Sequence, residues 1–290
     1  MSIFSEPAPA KVNLTLRILG KRADGYHDLE SVVVFARLAD QVTLTVDAAF
    51  GLDVDGPTAA SAGDVADNLV LRAARGLVAR TDGLRLGRFA LTKRIPVAAG
   101  LGGGSSDAAA ALRLLMRVNG IAPKNPRVVE AARATGADVP VCLDPRARVM
   151  RGVGDILSGP LDLPPLPALL VNPGVPVPTR DVFARLGLAP GERRGEASDI
   201  DPARIADRDA LVAYLESQPN DLEAPALALQ PVIADVIAAL ARQPGCLLAR
   251  MSGSGATCFG LFASDDAATT AERALKTAHP AWWAAATVFS

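Results

Sequence analysis

The chain has 290 residues, half of them hydrophobic, and 30 Lys and Arg against 31 Asp and Glu give a formal net charge of -1. That length suits one large domain or two modest ones, and the balanced charge offers no basic stripe of the kind that nucleic-acid binding needs. No apolar run reaches the roughly 18 residues of a membrane-spanning helix, so the expectation is a cytoplasmic protein with neither nucleic-acid nor membrane partners.

The first residues, "MSIFSEPAPAKVNL", lack the charged start and apolar core of a signal peptide. From Val12 to Leu19 polar and apolar residues alternate, which predicts a half-buried strand. A polar loop with an Asp24-Gly25 turn signal follows. "SVVVFARL" and "DQVTLTVD" read as two further strands rich in β-branched residues, and Gly51 to Gly63 as a loop. Asp67-Asn68 then precedes a helix, "LVLRAARGLVAR", with Leu69, Ala73 and Leu77 on one side. "LRLGRFALTKRIP" reads as a strand pair. After it comes a glycine loop, a helix from about Ser106 to Asn119, and a second helix from Pro126 to Thr135. Prolines cluster between Pro160 and Pro167 and suggest a link into a second domain, opened by the buried strand "ALLVNPG". The helix "PVIADVIAALAR", a strand–turn–strand over "CLLARMSGSGATCFGLFAS", the helix "DDAATTAERALKTA" and a short strand "AATVFS" complete the chain. Strands and helices alternate, so the class is α+β, a two-layer α/β arrangement.

The glycine loop carries the chemistry. In "PVAAGLGGGSSDAAAAL", Gly100, Gly102, Gly103 and Gly104 stand with Ser105 and Ser106 directly before an alanine-rich helix. A helix start has backbone N–H groups without intrahelical partners and about half a positive charge. Glycines let the backbone approach a ligand and adopt positive φ, and together these features make a phosphate cradle. Asp107 opposes an anion if it faces one; otherwise it serves the first helical turn or approaches a metal. The spacing is a poor dinucleotide fingerprint, because Ser105 stands where the third glycine belongs. With two histidines, His27 and His279, and no Gly-x-Ser-x-Gly or Walker pattern, several hydrolase and NTPase classes drop out. Cys142, Cys246 and Cys258 are odd in number and form no Cys-x-x-Cys pair, which suits reduced thiols.

Three stretches in order resemble one family. "PAPAKVNLTLRILGKRADGYHDLES", the glycine loop and "MSGSGATCFGLF" are similar to the three motifs of the GHMP kinases. Lys11-Val-Asn13-Leu, Asp24-Gly25-Tyr26-His27, "TGADVPVCL" and "NDLEAPAL" narrow the likeness to members acting on a cytidyl diphosphate sugar alcohol in the non-mevalonate route to isoprenoid precursors. The resemblance implies a two-domain fold with its active site in the cleft between domains. It implies an ATP-binding part over residues 1–158 and a substrate-side part over 159–290. It implies ATP and Mg²⁺ as reactant and cofactor, and phosphorylation of the tertiary 2-hydroxyl of a methylerythritol moiety.

Carried residue by residue, the resemblance makes Lys11 and Asp138 the catalytic pair. Read alone, Lys11 is a solvated lysine and Asp138 a turn or cap residue. A carboxylate can take the proton of an alcohol, and a nearby ammonium counters charge on the transferred phosphoryl group. The nucleotide side comprises Asn68, Lys93, Pro96, Gly100, Leu101, Gly102, Gly103, Gly104, Ser105 and Ser106. Asn68 equally suits an N-cap, and Lys93 a solvated strand charge. The substrate side comprises Asn13, Tyr26, His27, Thr179 and Phe183, with Tyr26 stacking on cytosine, His27 reading its polar edge, and Phe183 either an aromatic wall or a core side chain. Two alternatives stay open: another GHMP kinase of homoserine or mevalonate type, and a non-catalytic nucleotide-binding protein. Monomer and homodimer are both compatible with the sequence.

Overall fold

The computed structural model of the chain describes residues 2–200, 205 and 207–290. Its internal contacts divide it into two units that interleave along the sequence. The first is Met1–Lys11, Leu38–Val97 and Gly102–Pro145; the second is Val12–Arg37, Ala98–Leu101 and Arg146–Ser290. Two of the crossings fall inside the glycine stretch and one directly after Lys11. Pro160 closes one strand and Leu166 opens the next within the second unit, so the proline cluster is a strand connection there.

In the first unit the strands are most of β1 (Ile3–Asn13), the distal half of β3 (His27–Val46), β4 (Gly51–Asp55) and β5 (Gly87–Thr92). β5 runs antiparallel to β3, with Gln41 opposite Thr92 and Val46 opposite Gly87, and β4 adds parallel to β5. Val42, Leu44 and Val46 are fully buried while Thr43 and Thr45 are half-buried, the period-two pattern of a sheet with one core face. Helices α1 (Leu69–Val78), α2 (Gly103–Asn119) and α3 (Pro126–Thr135) pack on one another, followed by the one-turn α4 (Val139–Cys142). α1 buries Val70, Leu71, Ala73, Ala74 and Leu77 and leaves Arg72 and Arg75 exposed. α2 is buried on nearly every side from Ser106 to Met116, and each of its buried leucines contributes about 1.5–3 kcal/mol. Gly120, at φ 62°, ends it in the left-handed region.

In the second unit β2 (Arg17–Lys21) and β6 (Arg148–Gly152) flank the proximal half of β3, and β7 (Ile156–Pro160) pairs with β6. β8 (Leu166–Asn172) lies between β10 (Cys258–Phe262) and β11 (Trp283–Phe289), and β9 (Cys246–Met251) pairs with β10. α5 (Thr179–Ala184), α6 (Arg208–Glu216) and α7 (Glu223–Leu229) precede two sheet-covering helices. α8 (Val232–Ala241) packs on β9 and β10, and α9 (Asp265–Ala278) on β8, β10 and β11. α9 buries Ala268, Ala271 and Leu275, a stripe at helical spacing. The mixed, two-layer class expected from the sequence is the one observed.

Several boundaries differ from the sequence expectation. Val12–Leu19 is not one strand: β1 ends at Asn13 and β2 begins at Arg17. Between them Leu14 donates to Val32 O and Leu16 to Pro219 O, and residues 12 to 16 are all buried, so alternation does not describe them. The two strands expected over 31–47 are one 20-residue strand, and neither glycine nor proline interrupts Leu38-Ala39-Asp40. Part of the expected 51–63 loop is β4, and the expected strand pair over 84–96 is β5 alone. α2 starts at Gly103, three residues early, because Gly102 caps it at φ 60°.

Candidate active site

The left-handed Gly102 turns the chain into α2, and the first intrahelical bond runs from Ser106 N–H to Gly102 O. The N–H groups of Gly103, Gly104 and Ser105 therefore lie outside the ladder, where an anion can be received. The serines divide: Ser106 Oγ donates to Pro9 O at 2.6 Å and is buried, whereas Ser105 makes no side-chain hydrogen bond among the described residues. Pro96 is half-buried and Leu101 fully buried just before the turn.

The glycines have different reasons for being glycine. At Gly100, φ is 76° and an added Cβ would lie 2.6 Å from Gly255 O and 3.0 Å from Ser252 O. At Gly103, φ is ordinary for a helix and the nearest atoms would be Ile95 Cγ2 at 3.4 Å and Lys93 Nζ at 3.5 Å. A side chain at 103 thus points into the protein, so the expected backbone approach to a ligand does not require glycine there. We expect Gly100→Ala to destabilise the fold by at least ~2 kcal/mol, the left-handed cost plus the clash, and Gly103→Ala to be neutral or stabilising. Urea midpoints of the two variants check this; equal midpoints would remove the distinction.

Lys11 Nζ lies 2.9 Å from Asp138 Oδ2; the Lys11 side chain is 5% exposed and that of Asp138 35%. Lys11 is not the solvated lysine that its surroundings in sequence suggest. A Cβ on Gly102 would meet its Cβ at 3.2 Å and its Cε at 3.3 Å, so its stem lies along the cap of α2. Asp138 occupies the N-cap position of α4 but makes no capping bond, its carboxylate being turned to Lys11 instead.

Lys93 points inward. Its ammonium pairs with Asp40 and, at 2.7 Å, with Asp107, and all three residues are buried. Asp40 Oδ1 also accepts from the N–H groups of Arg94 and Ile95. Asp107 Oδ1 has no partner. Burial pulls the Lys93 pKa down, but the two carboxylates outweigh it and leave it above the usual value. Burial pushes Asp107 up to about 7 against the pull of Lys93. Asp107 is thus turned into the protein rather than out from the helix start. Asp40 is a residue that sequence reasoning missed; its only local signal was a lone acid within an apolar strand. Asp107 sets a pH dependence. Between the unfolded carboxyl value, about 3.9, and about 7, the folded chain holds a proton that the unfolded chain releases, so this group's contribution to stability falls as pH rises. Asp107→Asn removes that loss, and its urea midpoint relative to the native chain should improve from pH 5 to pH 8. A gap independent of pH would contradict the assignment.

Asn68 caps α1, its Oδ1 accepting from Val70 N–H at 3.0 Å.

The substrate-side candidates fall in the second unit. The Ser252–Thr257 turn between β9 and β10 collects three of the stretches singled out in the sequence. Ser252 Oγ accepts from Asn13 N–H at 3.1 Å and donates to Gly100 O at 3.3 Å, and Ser254 Oγ lies 2.8 Å from Thr179 Oγ1. Asn13 is buried, with its amide donating to Ser31 Oγ at 2.7 Å. Asn220, from the "NDLE" stretch, donates to Met251 O and Gly253 O, both at 2.9 Å, and so fixes the turn. Tyr26 is 66% exposed at the tip of its turn, where its N–H bonds Asp24 Oδ1. The ring partner of His27 is Phe183, at 4.8 Å between centroids, rather than Tyr26. Phe183 is half-buried, and His27 Nε2 is buried without a partner. Burial, and secondarily the charge of Lys21 opposite it on β2, lower the His27 pKa.

Two family models match the chain, the GHMP kinases N terminal domain over residues 68–144 and the GHMP kinases C terminal over residues 206–281. The chain belongs to the GHMP kinase family. Lys11, Asn13, Tyr26 and His27 precede both matched segments. The chain is 59% identical over 288 residues to the 4-diphosphocytidyl-2-C-methyl-D-erythritol kinase of Methylobacterium radiotolerans, covering 99% of each chain. It is 57% identical to the kinase of the same name from Xanthobacter autotrophicus, covering 98% of each. Among solved structures it matches a crystal structure of 4-(cytidine 5'-diphospho)-2C-methyl-D-erythritol kinase with a TM-score of 0.75 at 34% identity, over 99% of each chain. A homoserine kinase from Cytophaga hutchinsonii, at 21% identity and a TM-score of 0.70 over 100% of this chain and 95% of that one, shares the GHMP kinase fold.

Proposed function

We propose that this GHMP kinase transfers the γ-phosphoryl group of ATP to the 2-hydroxyl of 4-diphosphocytidyl-2-C-methyl-D-erythritol. The observation that carries the reading is the full-length likeness, at 59% identity, to a curated kinase of that name. The Lys11–Asp138 pair supplies the chemistry. The hydroxyl proton passes to the Asp138 carboxylate, the hydroxyl oxygen bonds the γ-phosphorus, and the bond from that phosphorus to the bridging oxygen breaks to release ADP. Lys11 offsets charge on the phosphoryl oxygens as it moves, and the N–H groups at the start of α2 receive the neighbouring phosphates. Positioning and electrostatics carry most of such a reaction, so a carboxylate suffices as base.

Among the described residues no group of three or more His, Cys, Asp or Glu is arranged to hold a metal. The Ser105 hydroxyl in the first turn of α2, without a side-chain hydrogen bond among the described residues, is the side chain that would help hold a Mg²⁺ ion delivered with the nucleotide. When bound, the ion neutralises phosphate charge.

Nucleotide binding falls to Asn68, Pro96, Gly100–Gly104 and Ser105, with Lys93 and Ser106 supporting the cradle from inside. Asn13, Tyr26, His27, Thr179 and Phe183 take the cytidyl substrate. His27 supports this best, since a buried, unpartnered ring nitrogen beside an aromatic ring is what a nucleobase edge requires. The substrate-side residues all lie in the second unit, and the nucleotide-side ones lie in the first except Gly100 and Leu101. Free Cys142, Cys246 and Cys258 support a cytoplasmic location. A coupled ADP-release assay offering the cytidyl substrate, homoserine and mevalonate separately tests the reading. Turnover with the cytidyl substrate alone is expected. Preference for either other alcohol, or nucleotide binding without turnover, overturns it.

A further inference from the structure

The Lys11–Asp138 bridge joins residues 127 positions apart, and the local bond that spans Asp138 is one turn, from Val139 N–H to Gly136 O. It precedes α4, a helix of four residues, and one isolated turn is unstable by itself because nucleation is unfavourable. Its position must come from tertiary partners. Arg113 of α2 supplies one. Its Nη1 donates to Cys142 O at 2.7 Å, the carbonyl at the C-terminal end of α4, which a helix leaves unpaired. Its Nη2 donates to Pro7 O on β1 at 2.6 Å, and its Nε reaches Glu6 Oε2 at 3.4 Å. One rigid guanidinium fork therefore holds both the element that follows Asp138 and the strand that carries Lys11. Ser106 stands two helical turns before Arg113 on the same side of α2 and holds the same strand at Pro9 O, two residues on from Pro7. The helix whose N-terminus forms the cradle is thus also the bracket for the pair.

We propose that Arg113 is a positioning residue for the Lys11–Asp138 pair, acting through α4 and β1 without touching either substrate. This role rests on the function proposed above for that pair. Arg113→Met keeps the length of the side chain and removes all its donors; Arg113→Lys keeps the charge but replaces the rigid fork. With the cytidyl substrate and ATP, at a temperature where each variant is folded by circular dichroism, kcat should fall at least tenfold in Arg113→Met and at least threefold in Arg113→Lys. Both KM values should stay within twofold. Glu6→Gln, which alters the carboxylate contacts with Arg113 and Arg117 and leaves the two carbonyl bonds of Arg113, should leave kcat within twofold. The deciding readout is a double-mutant cycle. In an Asp138→Asn background Arg113→Met should lower kcat by less than twofold more, because the residue acts through Asp138. Multiplicative losses in the double variant, or a folded Arg113→Met with native kcat, would overturn the proposal. If Arg113→Met does not fold, Arg113→Lys carries the test, and native kcat there overturns it. Wild-type chain that does not phosphorylate the cytidyl substrate sinks the functional reading and this role with it, whereas native turnover with an unaffected variant sinks this role alone.

Discussion

Asp138→Asn is expected to lower kcat by roughly 10²–10⁴-fold, the usual worth of a positioned base, while the KM for ATP stays within about threefold because nucleotide binding uses other groups. The substitution is nearly isosteric. The new side-chain oxygen can still accept from Lys11 Nζ, now 2.9 Å from the native carboxylate, but it carries no charge and cannot take up the hydroxyl proton. Because the Asp138 side chain is 35% exposed and caps no helix, the change should cost little stability. Steady-state kinetics beside a thermal melt separate the effects. A folded variant turning over within threefold of the native rate removes Asp138 from the role of base.

His27→Ala should raise the KM for the cytidyl substrate at least tenfold and leave the KM for ATP within about twofold. The buried Nε2 lacks a partner and the ring packs at 4.8 Å against Phe183. Removing it leaves a polar substrate edge unpaired, a loss of about 1–3 kcal/mol, and each 1.4 kcal/mol is about tenfold in affinity. The hydroxyl that reacts is remote from the base, so kcat should fall far less than in Asp138→Asn. pH supplies a second check. Burial and the Lys21 charge lower the ring's pKa, so the imidazole stays neutral to lower pH than a free histidine does. Binding through the neutral ring should therefore be level near neutrality and fall only on further acidification. A shift in the ATP term with the cytidyl term unmoved would assign this pocket to adenine.

The sequence by itself determined the features whose causes lie within a few residues of one another. Asn68 caps α1 where its position before an apolar helical run suggested, Asn125 caps α3, and Gly120 stops α2. The glycine stretch announced a helix start suited to an anion, and the Gly/Ser turn between β9 and β10 was legible from its flanking apolar runs. What only the tertiary structure decided is which group faces which. β3 has different partners along its length, β6 opposite Leu29–Val33 and β5 opposite Gln41–Val46. Lys93 turns inward because Asp40, 53 residues away, and Asp107 wait there; Ser106 turns to Pro9 rather than outward; His27 meets Phe183 rather than its neighbour Tyr26. Caps, turns and periodicity act over three or four residues, so they are written locally. The partner of a buried charge or hydroxyl is chosen by whichever distant group shares its dehydrated volume, and that is settled only when the layers close.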